Sequence, residues 1–318
     1  MAHNLEQCVK LVGQAAAAGA KIIFFPEASD YIGTSAQESL SLAKPVATSP
    51  FVLGLQSAAA QHQLAVHVGI HVPVAVKPAS PATTAARNPV LTSVPQSEDI
   101  SSPPPSKPAA DTAPQIKLFN QTLLILPSGA IAPSSAYNKL HLFDHAPSHL
   151  HESRTTQAGS ALPAPLPSPV GRLGSLICFD LRFAEPSLHL AQPPPSSPFH
   201  ATPAQILLYP SAFTVRTGRA HWDVLLRARA VETQSWVVAA AQVGRHDAGA
   251  ARVSYGRSTV VDPWGRVVLA LKGVRDDGEE AEDGAVGQLG IVDIDLDEWE
   301  RVREQMPLVR RTDVYPEI

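Results

Sequence analysis

A thiol, a carboxylate and an ammonium, the parts of a nucleophilic hydrolase, each stand beside an apolar segment. Cys178 lies in Gly174-Ser175-Leu176-Ile177-Cys178-Phe179-Asp180-Leu181-Arg182, where an apolar stretch ends in a thiol and then turns charged. Ile22-Ile23-Phe24-Phe25-Pro26 ends at Glu27, and Leu123 to Leu126 leads through a turn into Tyr137-Asn138-Lys139. Together they supply a nucleophile, a base and a fixed cation. A neutral thiol attacks a carbonyl poorly, so Cys178 needs a base at hand. Glu27 suits that task, with its own pKa expected to be raised by the apolar strand. Attack places negative charge on the carbonyl oxygen, where Lys139 and the backbone N–H of Phe179 would hold it.

The elements that must position these groups alternate between strand and helix. Residues 4–19 read as an amphipathic helix with Asn4 and Gln7 as a capping box and Gly19 as the stop. A strand from Lys21 to Pro26 follows, then a helix around Phe51 to His62 and a strand from Leu64 to Ile70. Lys117 to Leu126 enters a Pro127-Ser128-Gly129 turn. Gln205 to Pro210, Trp236 to Gln242, Arg257 to Asp262, Val267 to Leu271 and Leu289 to Ile294 read as further strands. Ala220 to Gln234 reads as a helix, and another runs from Asp295 or Asp297 through Glu304. This alternation predicts an α/β fold.

Two Pro-rich stretches interrupt the pattern, at about 73–114 and 192–203, inside one domain spanning residues 1–318. The first buries too little apolar surface to offset its ordering entropy and is expected to be disordered. There is also a short internal echo. Ile22-Ile23-Phe24-Phe25-Pro26-Glu27-Ala28 resembles Ile206-Leu207-Leu208-Tyr209-Pro210-Ser211-Ala212, which would place Glu27 and Ser211 at equivalent strand ends of two half-sheets.

Composition narrows the function classes. The 318 residues are 44% apolar and 17% charged, with a formal charge of −4 and pI near 6.3. No basic surplus points to nucleic acid or an anionic membrane. No apolar run approaches the roughly 20 residues that span a bilayer. Two cysteines cannot build a disulfide framework, so a reducing compartment is expected, with Cys8 in the core. His141, His145, His149 and His151 beside Asp144 and Glu152 raise the question of a metal, but Pro147 breaks the helix such spacing requires, and no metal is expected. Ser102-Pro103-Pro104-Pro105 offers a different class of function, a non-catalytic protein docking through polyproline segments.

Phe25-Pro26-Glu27, Tyr137-Asn138-Lys139-Leu140-His141-Leu142-Phe143 and Ile177-Cys178-Phe179-Asp180-Leu181-Arg182-Phe183 resemble, in order, the glutamate, lysine and nucleophile motifs of the nitrilase superfamily of carbon–nitrogen hydrolases. Tyr209-Pro210-Ser211-Ala212-Phe213, Thr217-Gly218-Arg219-Ala220-His221-Trp222 and Tyr255-Gly256-Arg257-Ser258 are most similar to its deaminated glutathione amidase branch. The neighbouring branch is the ω-amidases, which act on α-ketoglutaramate-like keto-acid amides. The resemblance implies a four-layer αββα sandwich, a homodimer and no cofactor. It further implies a cysteine-dependent amidase that converts a terminal carboxamide to carboxylate and ammonia through a thioester, with water as co-substrate. A second glutamate after the lysine motif is implied too, and Glu152 matches that position. An anionic keto acid would need a cation; Arg182 is the candidate, unless it pairs with Glu185. Ser211, Phe213 and Thr214 follow a strand end and are candidates for lining the pocket. The family begins with a strand that this chain, starting at Met1-Ala2-His3-Asn4, is expected to lack. Localisation is expected to be cytoplasmic, or mitochondrial if an upstream segment exists.

Overall fold

The computed structural model describes residues 1–76, 115–145, 150–246, 252–311 and 314–315. One sheet, in the order β1-β2-β3-β4, is built from β1 (Ile22–Phe24), β2 (Ala65–Val76), β3 (Gln115–Ile125) and β4 (Tyr137–Asn138). A short hairpin follows, β5 (Asp144–His145) with β6 (Leu150–His151). The second sheet begins with β7 (Leu166–Ser168), β8 (Gly171–Ser175), β9 (Ile206–Leu208) and β10 (Trp236–Ala239). After a second hairpin, β11 (Val243–Arg245) with β12 (Val253–Tyr255), it adds β13 (Thr259–Val261) and β14 (Val267–Ala270). Its order is β14-β13-β10-β9-β8-β7.

Helices α1 (Ala2–Ala17), α2 (Ala36–Leu42), α3 (Pro50–His62), α4 (Ala184–Ala191), α5 (Val215–Thr233) and α6 (Leu296–Gln305) complete the elements. The layers follow from the two-residue period of the strands. Ile23, Val66 and Val68 turn outward onto Val12, Phe51 and Leu55 of α1 and α3. Ile22 and Ala65 turn inward to meet Ile206, Leu208, Trp236 and Val238 of the other sheet. Leu207 and Val237 turn outward again beneath Leu190, Trp222 and Leu226 of α4 and α5. Helices, sheet, sheet and helices make the expected αββα sandwich.

Several expectations are corrected in detail. Asn4 lies inside α1, which begins at Ala2, and its Nδ2 donates to Ser29 O at 3.1 Å instead of forming a capping box. Strand β2 continues through Pro73 to Val76, so the Pro-rich stretch begins later than its composition suggests. Pro73 is tolerated because it faces Leu118, whose own N–H and C=O bond to Thr155 and Gln157 on the far side. The pair is therefore a non-hydrogen-bonded one, and the missing N–H of proline leaves the ladder intact. The remainder of that stretch lies outside the described residues. The second stretch packs closely: His200 Nδ1 meets Pro193 O at 2.8 Å, and Phe199 joins the core beside Leu190. Leu289 to Ile294 is not a strand; Val292 and Ile294 instead pack against the intersheet core. Among the described residues no helix is long and apolar enough to cross a membrane.

Candidate active site

Glu27, Lys139 and Cys178 come from three strand ends and meet at the floor of one cavity of about 750 Å³. Lys139 Nζ lies 3.5 Å from Glu27 Oε2, and the Cys178 thiol stands beside the Glu27 carboxylate, close enough to lower its pKa. Lys139 is only 2% exposed and Glu27 only 4%, so their charges act in a low-dielectric setting. Glu152 completes the arrangement, accepting from Lys139 Nζ at 2.9 and 3.0 Å and from the Phe143 N–H at 2.8 Å.

Each group is placed by backbone that the sequence prepares. Beyond β1, Phe25 N–H donates to His67 O and Ser29 N–H to Gly69 O, so the chain continues alongside β2 past the strand proper. Gly69 lets this happen: a Cβ there would sit 2.6 Å from Glu27 Cα and 2.8 Å from Pro26 O. Lys139 N–H donates to Asn120 O, extending the β3–β4 pairing by one residue. Cys178 opens a tight turn, Cys178–Arg182, with φ of +47°, a left-handed conformation that L-residues avoid. Asp180 locks that turn, accepting from the Tyr137 hydroxyl at 2.6 Å, the His141 Nδ1–H at 2.7 Å and the Ile177 N–H at 3.0 Å. His141 is thereby a structural partner of Asp180, stacked on Phe183. His149 and Pro147 lie outside the described residues.

The electrostatics set the resting protonation. Burial pushes the Glu27 carboxyl up, but the Lys139 charge, hydrogen bonds from Cys178 and Asn120, and the Arg252 charge outweigh it, leaving it below its ordinary value of 4.5. This corrects the expectation of a raised pKa. Burial lowers and the Glu152, Glu27 and Cys178 charges raise the Lys139 ammonium, with a net rise. Burial, then the Glu27 charge, pushes the Cys178 thiol up against the opposing pull of Lys139. The site therefore rests as carboxylate, ammonium and neutral thiol. A carboxylate beside a neutral thiol is able to accept its proton during attack on a carbonyl carbon, chemistry that requires no stored thiolate.

Phe179, Arg182, Phe213 and Thr214 line the same cavity. Arg182 does not pair with Glu185; it donates to His221 Nδ1 at 2.8 Å and lies over Phe213. Ser211 is fully buried away from the cavity lining, its hydroxyl donating to Tyr209 O at 2.8 Å. Among the described backbone bonds none uses the Phe179 N–H, an orphan donor near the start of the turn.

Sequence reasoning missed three participants. Asn120 Nδ2 donates to Glu27 Oε2 at 2.9 Å and reaches Glu152 Oε1 at 3.4 Å, while its Oδ1 is buried without a partner. The Ala212 N–H donates to Glu27 Oε1 at 2.8 Å. Gln242 Nε2 donates to the carbonyls of Glu27 and Ala28 at 3.0 and 3.2 Å. Asn120 had a faint signal, a polar residue directly opposite His71 on a strand that is otherwise largely apolar towards its end. Ala212 acts through its backbone and had none.

The profile of the carbon–nitrogen hydrolase family matches residues 1–304. The chain is 37% identical over 320 residues to "Probable hydrolase nit2" of Schizosaccharomyces pombe, covering 99% of this chain and 94% of the relative. It is 35% identical over 318 residues to the human "Deaminated glutathione amidase", covering 98% and 79%. The crystal structure of the Caenorhabditis elegans NitFhit protein superposes with a TM-score of 0.70 at 32% identity. That match covers 99% of this chain, which spans 63% of the fusion protein. Saccharomyces cerevisiae Nit3, described as a member of branch 10 of the nitrilase superfamily, shares the fold at 23% identity, with a TM-score of 0.67 and coverage of 97% and 90%.

Proposed function

Since the chain belongs to the carbon–nitrogen hydrolase family and is a cysteine-dependent hydrolase of carboxamides, we propose that its substrate is deaminated glutathione and that Glu27, Lys139, Glu152 and Cys178 carry the reaction. The observation that carries the residue roles is the shared contact point. One carboxylate touches the thiol, the ammonium, an amide and a backbone N–H within a single cavity.

In this reading Glu27 takes the thiol proton as Sγ bonds to the amide carbon. Lys139 and the Phe179 N–H receive the developing oxyanion. Protonated Glu27 then passes its proton to the nitrogen, the C–N bond breaks, and a thioester remains on Cys178. Water gives a proton to Glu27 and adds to the thioester; the C–S bond breaks and the thiol recovers the proton. Glu152 holds the ammonium in place throughout. In deaminated glutathione the amide nitrogen belongs to cysteine. The departing group is then cysteinylglycine, whereas a terminal carboxamide such as α-ketoglutaramate releases ammonia.

The test is a panel of deaminated glutathione, α-ketoglutaramate and simple nitriles, with amine or ammonia release measured for each. Highest kcat/KM on deaminated glutathione supports the reading. Preference for α-ketoglutaramate would move the chain to the ω-amidase reading, and preference for a nitrile would reject an amidase specificity.

A further inference from the structure

The cavity holds a cation for which the mechanism has no use. Arg252 lines it, its Nε is buried without a partner, and its guanidinium forms no ion pair or hydrogen bond among the described residues. Four cationic side chains, Lys139, Arg154, Arg182 and Arg252, line the cavity against two carboxylates, Glu27 and Glu152. Lys139 lies within ion-pair distance of both carboxylates. Arg182 likewise has a buried, unpartnered Nε and no carboxylate counter-ion among the described residues. Guanidinium groups partly withdrawn from water and lacking an anion are costly unless a ligand supplies one, and their fork geometry matches a carboxylate.

The two arginines reach the cavity from different elements. Arg182 belongs to the same tight turn as the nucleophile and is fixed by His221 and Phe213. Arg252 precedes β12, and extending the Arg245–Val253 register by one step puts it opposite His246, another residue of the cavity wall. His246 meets the Ser254 hydroxyl at 2.7 Å, and the hairpin root is tied down by Tyr255 N–H to Phe213 O and Gly256 N–H to Gln242 O. Gln242 in turn grips the Glu27 and Ala28 carbonyls. Arg252 is thus anchored on the side of Glu27, and its charge is felt there. In the proposed reaction Glu27 protonates the departing nitrogen, so the cation that acts on Glu27 is assigned to the leaving group, and Arg182, on the turn of the nucleophile that keeps the acyl group, to the acyl portion.

We propose that Arg252 is a specificity residue that binds a carboxylate on the leaving-amine side, making the preferred substrate class dianionic amides with one carboxylate at each end. This rests on the amidase reading of the site and deepens it. Deaminated glutathione fits that class through its keto-acid and glycine carboxylates; α-ketoglutaramate lacks the second charge.

The test compares deaminated glutathione, its glycine ethyl ester and α-ketoglutaramate on wild type, Arg252→Gln and Arg252→Lys. Losing a charged hydrogen-bond pair predicts a KM for deaminated glutathione about 10- to 100-fold higher in Arg252→Gln, with kcat within about threefold. The ester should show the same penalty on wild type, and kcat/KM for α-ketoglutaramate should stay within about twofold. Arg252→Lys should recover part of the loss. Equal loss on all three substrates, with the acid limb of the pH profile moved upward, would mean that Arg252 acts only through Glu27, and would overturn the proposal. So would a wild type that does not distinguish free acid from ester. If wild type turns over none of the three, the substrate reading fails separately. The carboxylate site is then read by equilibrium binding to Cys178→Ala, where the free acid should bind about tenfold tighter than the ester and Arg252→Gln should erase the difference.

Discussion

The two strand ends Phe25-Pro26-Glu27-Ala28 and Tyr209-Pro210-Ser211-Ala212 share a backbone plan and divide the labour. Each follows a three-residue strand paired in parallel with a neighbour, β1 with β2 and β9 with β10. Each continues past its proline, with Gly69 N–H bonding to Pro26 O and Cys178 N–H to Pro210 O. At the first end a carboxylate reaches into the cavity and is held by Asn120, Lys139 and the thiol. At the second, the side chain turns back onto Tyr209 O, and the following N–H reaches across to that carboxylate at 2.8 Å. In the proposed reaction, one end therefore supplies the reactive group and the other a backbone N–H that holds it. A repeated scaffold does not imply a repeated function.

Substitutions at the two ends should separate these roles. Glu27→Gln keeps the size of the side chain but removes the base, so kcat/KM should fall by about 10³-fold. Ser211→Ala should change it less than about threefold, costing only the local hydrogen bond, about 1 kcal/mol of stability. Comparable losses in steady-state assays of both variants would break the comparison.

The glycines beneath each end sharpen it. Gly69→Ala drives a Cβ onto the backbone of Pro26 and Glu27 at 2.6–2.8 Å, and backbone at a strand end cannot yield without moving the carboxylate. A shift of this size should lower kcat by about 10- to 100-fold. Gly174→Ala meets side chains instead, Leu207 Cδ2 at 2.9 Å, Ala204 Cβ at 3.0 Å and Leu190 Cδ1 at 3.2 Å. It should destabilise by about 1–3 kcal/mol with kcat nearly unchanged. Thermal unfolding and kcat measured together decide the point.

Smaller effects come from pH. The folded-state pKa of Glu27 is depressed, so its ionised form adds stability that is present above the ordinary value of 4.5 and is lost as pH falls through the lower folded value. Activity that depends on the Glu27 carboxylate should persist down to about pH 5 and decline only below it. Asn120→Leu removes a hydrogen bond to the carboxylate and should move that acid limb upward by up to about one pH unit. An unchanged limb in the kcat/KM profile would mean that Asn120 only fills space.

Much of this was legible in the chain because the three residues proposed to react interrupt apolar runs. A glutamate after Phe25-Pro26, a lysine after Tyr137-Asn138 and a thiol after Leu176-Ile177 each mark where a buried strand surfaces. The parts that escaped notice act through other signals. Ala212 contributes an N–H that any residue but proline carries. Arg252 sits beside a short hairpin whose role depends on register with His246. Leu289 to Ile294 has the alternation of a strand, but Val292 and Ile294 pack against the intersheet core from a segment that pairs with no strand among the described residues. The Asn4–Gln7 pattern failed because Asn4 found a tertiary partner in Ser29, which local spacing does not reveal.

The central claim is that Cys178 takes the acyl group with Glu27 as its base, and intact-mass spectrometry of enzyme quenched during turnover of deaminated glutathione tests it most directly. The account predicts an adduct on Cys178 carrying the keto-acyl portion without cysteinylglycine, absent from Cys178→Ala along with all turnover. Turnover that survives in Cys178→Ala, with no acyl adduct on the wild-type protein, would contradict it.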